Sequence, residues 1–246
     1  MARTAAVAAI AAVVLGGCSL SNGPADVDGP VTVYVSTPDD QGGRDVADGA
    51  RLALKEADGR AGDLDVGARY LDDPSTPTEV ALAAVGNNAR EAAEDSSTAA
   101  YIGDFSSGAT RTSAPILNDA GIAQVSPSAT AVDLTQDDTY RPSGEVTFAR
   151  VIPSEAVTRD PEAAIKPTPG FMRRFRAEYG RTASTSAAFG FEAMAVVLDA
   201  IDQRDTGAGN LRSSVTDSLL KVERLEGSAV GPYSFTTDGD TTLEPG

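Results

Sequence analysis

Between positions 31 and 126 four short apolar runs are separated by three stretches with helical periodicity. No other feature restricts the possible folds of this chain so strongly. Residues 31–36 (Val-Thr-Val-Tyr-Val-Ser) alternate and are β-branched, which predicts a strand. After a polar turn with Gly42-Gly43, Val46, Ala50, Ala53 and Ala57 stripe a helix over 44–57. Leu64, Val66, Ala68 and Tyr70 alternate as a second strand, ended by Asp72-Asp73, which read as a solvated strand end. Thr76-Pro77-Thr78-Glu79 has the form of a capping box with proline at the first helical position, so a helix is expected over 77–93. A buried strand at 99–103, a helix over 108–120 closed by Gly121, and a strand at 122–126 complete the series. Strands alternating with helices of this length imply right-handed βαβ units and a parallel sheet. The expected class is α/β: a three-layer, Rossmann-like lobe with a mainly parallel sheet and helices on both faces.

Beyond this block the text changes. A long loop (127–145) leads to a fifth strand, 146–152. Residues 154–169, acidic and carrying Pro161, Pro167 and Pro169, read as a connector. Helices are expected over 171–179, ended by Gly180, over 186–203, and over 211–222. Residues 231–235 read as a short strand. Asp238-Gly239-Asp240 reads as a turn, since no further ligands follow to make a calcium loop. Arg173, Arg174 and Arg176 fall on the polar face of a helix whose other face holds Phe171 and Phe175.

Composition removes whole classes of function. Thirty-six acidic against 20 basic residues give a net charge of −16, which leaves no counter-charge for a phosphate backbone and argues against nucleic-acid binding. With no histidine and one cysteine among 246 residues, histidine-based catalysis, His/Cys zinc sites and an internal disulfide are all excluded. No Gly-x-Gly-x-x-Gly follows the first strand, so a dinucleotide reading fails. Neither cofactor nor metal is expected, and the chain does not read as an enzyme.

The one cysteine is placed informatively. Arg3 precedes an apolar run of about ten residues, too short to span a bilayer, and Leu15-Gly16-Gly17-Cys18 follows. This resembles the lipobox of bacterial lipoproteins. The resemblance implies a signal peptide over 1–17, lipid on Cys18, a Gly/Pro-rich flexible tether over 18–30, and residence on the extracytoplasmic face of the cell membrane.

In parallel α/β sheets ligands bind beyond the carboxyl ends of the strands. Here those ends are 37–43, 72–76, 104–107 and 127–130, three of them rich in Ser, Thr, Asp and Gly. Several motifs coincide in order: Gly43-Arg44-Asp45 opening a helix that contains Gly49, Asp72-Asp73, Tyr101-Ile102-Gly103-Asp104-Phe105-Ser106-Ser107-Gly108-Ala109-Thr110, Val125-Ser126-Pro127-Ser128-Ala129-Thr130, and Phe175-Arg176-Ala177-Glu178-Tyr179-Gly180 followed by Gly190-Phe191-Glu192-Ala193-Met194. This set resembles the branched-chain amino-acid (Leu/Ile/Val) substrate-binding proteins of ABC transporters, of the type I periplasmic-binding-protein fold, over roughly residues 31–153 and 170–242. The resemblance implies that Ser107, Ser128 and Thr130 hold the α-carboxylate and α-ammonium of an amino acid, with Ser106 and Gly108 beside them. A helix N-terminus presents free N–H groups to an anion, which agrees. A plain N-cap is the alternative for Ser107, and a local turn is the alternative for Thr130.

The chain departs from that family at Gly42 and Ser186, where members carry an aromatic. A larger departure is the connector, whose 16 residues (154–169) stand where members build a second lobe. A domain needs about 50 residues. The expected organisation is therefore a single ligand-binding lobe made of 31–153 plus 170–246. The implied function is a surface-anchored solute-binding lipoprotein that serves an ABC permease, with binding weakened by the missing lobe. The alternatives are a non-transport sensor or interaction lipoprotein, or an inactive remnant.

Overall fold

A computed structural model of the chain describes residues 29–73, 78–207 and 210–245. The signal peptide, Cys18 and nearly all of the tether, together with the Thr76-Pro77 part of the capping box, lie outside the described residues.

Six strands form one sheet: β1 (Val31–Thr37), β2 (Arg60–Ala61), β3 (Leu64–Asp72), β4 (Thr98–Ile102), β5 (Ala123–Ser126) and β6 (Phe148–Arg150), in the order β2-β3-β1-β4-β5-β6. All neighbouring pairs are parallel except β2–β3, a small antiparallel hairpin that the sequence reading missed. The helices are α1 (Gln41–Glu56), α2 (Glu79–Glu94), α3 (Ser107–Asp119), the one-turn α4 (Asp133–Gln136) and α5 (Pro161–Ala164), then α6 (Pro169–Tyr179), α7 (Thr185–Asp202) and α8 (Leu211–Leu219).

The strands β1, β4, β5 and β6 are buried on both faces, as the three-layer expectation requires, whereas β3 and β2 at one side of the sheet are part exposed. Val31, Val33 and Val35 of β1, with Ala100 and Ile102 of β4, join the large core beneath α1, α7 and α8. Tyr34 and Tyr101, one position out of phase, point to the other face, where Ala89, Ala92 and Leu117 of α2 and α3 cover them. α1 and α7 touch backbone to backbone. A Cβ on Gly49 would lie 1.9 Å from the Ala187 carbonyl oxygen, and one on Gly190 would lie 2.1 Å from that of Val46.

Most helix boundaries follow side-chain caps. α1 starts three residues earlier than expected because Asp40 accepts the Gly43 N–H at 2.9 Å, so Gly42 and Gly43 belong to its first turn. α2 starts at Glu79 rather than Pro77, capped by Thr78, which accepts from Ala81 N. Gly121 (φ +67°) and Gly180 (φ +68°) end α3 and α6 in the left-handed conformation, as expected. Three expectations are corrected. The 127–145 loop contains α4 and a 3-10 turn at Asp138–Tyr140. The fifth predicted strand shortens to the three residues of β6. Residues 231–235 make only isolated bridges, Arg224 with Tyr233 and Phe235 with Thr241.

The connector forms no strand. It contributes α5, buries Pro161 and Ile165, and donates the Glu155 N–H to the Thr130 carbonyl at 2.9 Å. Among the described residues there is one sheet and one α/β lobe, and no helix is long and apolar enough to cross a membrane.

Candidate functional site

The winding direction reverses at β1, which pairs with β3 on one side and β4 on the other. In doubly wound sheets the crevice beyond the carboxyl ends at such a reversal is where ligands bind. The segments that border it here are the β1–α1 turn, the end of β3, the β4–α3 turn and the loop after β5.

The predicted residues do converge, through contacts the sequence did not specify. The Ser107 hydroxyl oxygen accepts the N–H groups of both Thr130 and Ala131 at 3.1 Å. Ser128 donates its hydroxyl to the Phe105 carbonyl at 2.8 Å. Ser126, buried below them, donates to the Asp104 carbonyl at 3.1 Å and accepts from Ala129 N at 3.0 Å. The two loops are thereby zipped into one polar shelf on which Ser107, Gly108, Ser128 and Thr130 are half-buried. The α3 N-cap is Ser106, which accepts from Ala109 N at 3.1 Å, so Ser107 is not the cap. Ser107→Ala is expected to leave two N–H groups without acceptors and to cost about 1–3 kcal/mol, read by urea denaturation; a change below 0.5 kcal/mol, as at an ordinary surface site, would contradict the zipper.

The two positions at which the resemblance implied an aromatic, Gly42 and Ser186, are placed as follows. The Phe105 ring packs on Gly42 so closely that a Cβ there would lie 2.7 Å from its Cζ. Ser186 donates its hydroxyl to Glu162 of the connector at 3.2 Å.

Sequence reasoning missed two supports. Arg150, at the end of β6, is fully buried. Its guanidinium donates to the carbonyls of Ala131 (2.6 Å) and Ala129 (3.3 Å), to the Thr135 hydroxyl (3.0 Å), and pairs with Asp240. It pins the shelf loop from beneath. A lone arginine in the run Phe-Ala-Arg-Val-Ile was the available signal. The second support is Asp73. The reading placed it in solvent with Asp72, but Asp72 is exposed and Asp73 is buried, accepting the Phe105 N–H at 3.2 Å. Gly103, just before this turn, lies close against β1: its φ is +145°, and a Cβ would lie 2.9 Å from the Ser36 carbonyl oxygen.

A cleft of about 660 Å³ lies away from the predicted residues, between the end of α3, the segment before β6, and α8. The hydroxyls of Thr216, Thr147, Ser143 and Ser213 are engaged internally, with the Gly121 carbonyl, Asn118, Asn118 and the Asn210 carbonyl, and the cleft holds none of the predicted residues.

These features define a class: one lobe of the type I periplasmic-binding-protein fold, with a hydroxyl-rich shelf at the carboxyl edge of its sheet. No protein-family model matches the sequence, and no curated protein matches it. Solved structures do. A substrate-binding protein of an ABC transporter from Desulfitobacterium hafniense, in complex with Leu, superposes with a TM-score of 0.68 at 16% identity, over 87% of this chain and 95% of that one. The branched-chain amino acid transporter substrate-binding protein LivJ from Streptococcus pneumoniae, in complex with isoleucine, gives 0.69 at 16% identity, over 86% and 93%. A solute-binding protein from R. palustris, in complex with benzoate, gives 0.67 at 11% identity, over 87% and 91%. At these identities the likeness establishes the fold.

Proposed function

We propose that this chain is a solute-binding lipoprotein, held by lipid on Cys18 to the outer face of the cell membrane, that takes a small amino acid or similar solute on the Ser107–Thr130 shelf and serves an ABC permease without chemistry. The observation that carries this reading is the joining of the β4–α3 turn to the post-β5 loop by Ser107, at the carboxyl edge of a doubly wound sheet whose structural neighbours bind leucine and isoleucine. The α3 N-terminus and the Ser107 and Thr130 hydroxyls suit a carboxylate, and the shelf carbonyls suit an ammonium. The neighbours' ligands extend the reading to other small carboxylates, since one of them holds benzoate.

Residues 154–169 stand where a two-lobed receptor carries its second lobe. A single lobe leaves half of the ligand's polar groups in water and cannot close around it. Affinity at the millimolar end of the scale is therefore expected. Isothermal titration of the purified chain against Leu, Ile, Val, neutral polar amino acids and benzoate tests both parts. Weak binding that Ser107→Ala abolishes supports the reading; micromolar affinity in a monomer would overturn the half-site, and no binding across the panel would overturn the solute reading.

A further inference from the structure

Two buried carboxyl groups, Asp104 and Asp73, lie beneath the shelf, and Asp73 repels a charge on Asp104. Asp104 is fully buried and joined to Gly103 by a cis peptide bond. Its carboxyl accepts the Tyr101 hydroxyl at 2.9 Å and the Ser113 hydroxyl. Gln124 donates its amide to Ser113 Oγ at 2.8 Å, so the single Ser113 proton is directed at Asp104. Asp73 is 2% exposed; one oxygen takes the Phe105 N–H and the other, Oδ1, is buried without a partner.

The facing groups can be named element by element. β1 offers Ser36, β4 offers Tyr101, α3 offers Ser113, β5 offers Gln124, and the end of β3 offers Asp73. None is a lysine or arginine, and among the described residues neither carboxyl is in an ion pair with a basic side chain. Burying two carboxylates that repel one another, with no ion pair to either, is costly, and the cheapest remedy is a proton. Burial, reinforced by repulsion from Asp73, pushes Asp104 up to about 7. Burial likewise pushes Asp73 up to about 6, against the weaker pull of the Phe105 N–H.

The backbone tied to this pair is the backbone of the shelf. Asp104 O receives Ser126, Phe105 N goes to Asp73, and Phe105 O receives Ser128. We propose that Asp104 and Asp73 are positioning residues held protonated under the crevice, and that this protonation keeps the segment 104–107, with Ser107 on it, in place. Deprotonation drives the carboxylates apart and loosens the shelf. The bearing on solute capture rests on the reading above; the proton linkage itself does not.

The sign follows from linkage. Unfolded, each carboxyl returns to the ordinary value of 3.8, so the folded chain holds more protons than the unfolded one from about pH 4 to 7. The pair's contribution is complete at about pH 4 and is lost as pH rises through 6 and 7. The chain has no histidine, so ordinary side chains are nearly silent in this window.

The test is thermal melting of the full chain from pH 5.5 to 8.5, with hydrogen exchange of the amides of 104–109. The wild type is expected to lose at least about 5 °C across the range, with exchange in the segment rising in step. Asp104→Asn, which carries a fixed proton equivalent, should flatten the profile and keep wild-type pH 5.5 protection at pH 8.5. Asp73→Asn removes the repulsion and should move the midpoint to lower pH, which covers the case in which Asp104→Asn does not fold. A wild-type melting temperature that is flat or rises with pH overturns the proposal, as does either folded variant that retains the wild-type profile.

Discussion

Arg150→Leu is expected to destabilise the chain by about 3–5 kcal/mol, the cost of breaking a buried pair by removing one partner. The arginine is fully buried, and its removal takes a donor from the Ala129 and Ala131 carbonyls and the Thr135 hydroxyl and leaves the Asp240 carboxylate with the Thr135 hydroxyl but no counter-charge. Leucine supplies apolar volume but no donor, so the loss is dominated by unsatisfied acceptors rather than by a cavity. The turn that carries Asp240 docks on the same strand, with Arg150 N donating to the Gly239 carbonyl at 3.0 Å, and should fray with the shelf. Urea denaturation measures the effect. Arg150→Lys keeps the charge but not the fork of donors, and should lose less. A change under 1 kcal/mol for the leucine variant would mean that the guanidinium does not hold the loop.

The second large effect concerns the contact between α1 and α7. Helix propensity alone predicts that Gly190→Ala stabilises α7 by about 0.5–1 kcal/mol. The packing reverses the sign. The new Cβ would lie 2.1 Å from the Val46 carbonyl oxygen and 2.7 Å from both the Val46 carbonyl carbon and Cα. These are backbone atoms inside α1, so no rotamer change relieves the clash and the helices must separate. The expected net loss is about 3 kcal/mol, the upper part of the overpacking range. Gly49→Ala meets the Ala187 carbonyl oxygen and the Phe191 nitrogen from the other side and should behave alike. Combined, the two should cost less than their sum, because separating the helices once relieves both clashes. Gly170→Ala is the control. Its Cβ would meet only the end of the Arg174 side chain at 3.7 Å, so it should be neutral or stabilising. Thermal melts of the four variants decide the matter, and additive losses would exclude a shared contact.

How much was legible depends on the range over which each signal acts. The βα alternation of residues 31–126, the glycine stops at Gly121 and Gly180, and the helices around Phe175 and Met194 are written in periodicities and caps spanning a few residues, and they stand. Ser107, Ser128 and Thr130 were found through their resemblance to a known motif, and the fold brings them to one shelf. What each hydroxyl does there was not legible. Ser106 and Ser107 both suit a helix start, and only the approach of the Thr130 and Ala131 amides assigns the cap to one and the zipper to the other.

Asp72 and Asp73 make the limit plain. As adjacent residues at a strand end they read alike, yet successive side chains of a strand point to opposite sides. One meets solvent, and the other meets the turn that carries Asp104.

The sequence by itself determined the α/β class, the near-complete order of elements, the exclusion of histidine chemistry and the edge of the sheet where a ligand would sit. The tertiary structure decided which charges are buried and what answers them: Arg150 by Asp240, 90 positions away, and Asp104 by the hydroxyls of Tyr101 and Ser113. The physical reason is that burial turns an ordinary side chain into an obligation to find a partner, and those partners arrive from strands and turns that are distant along the chain.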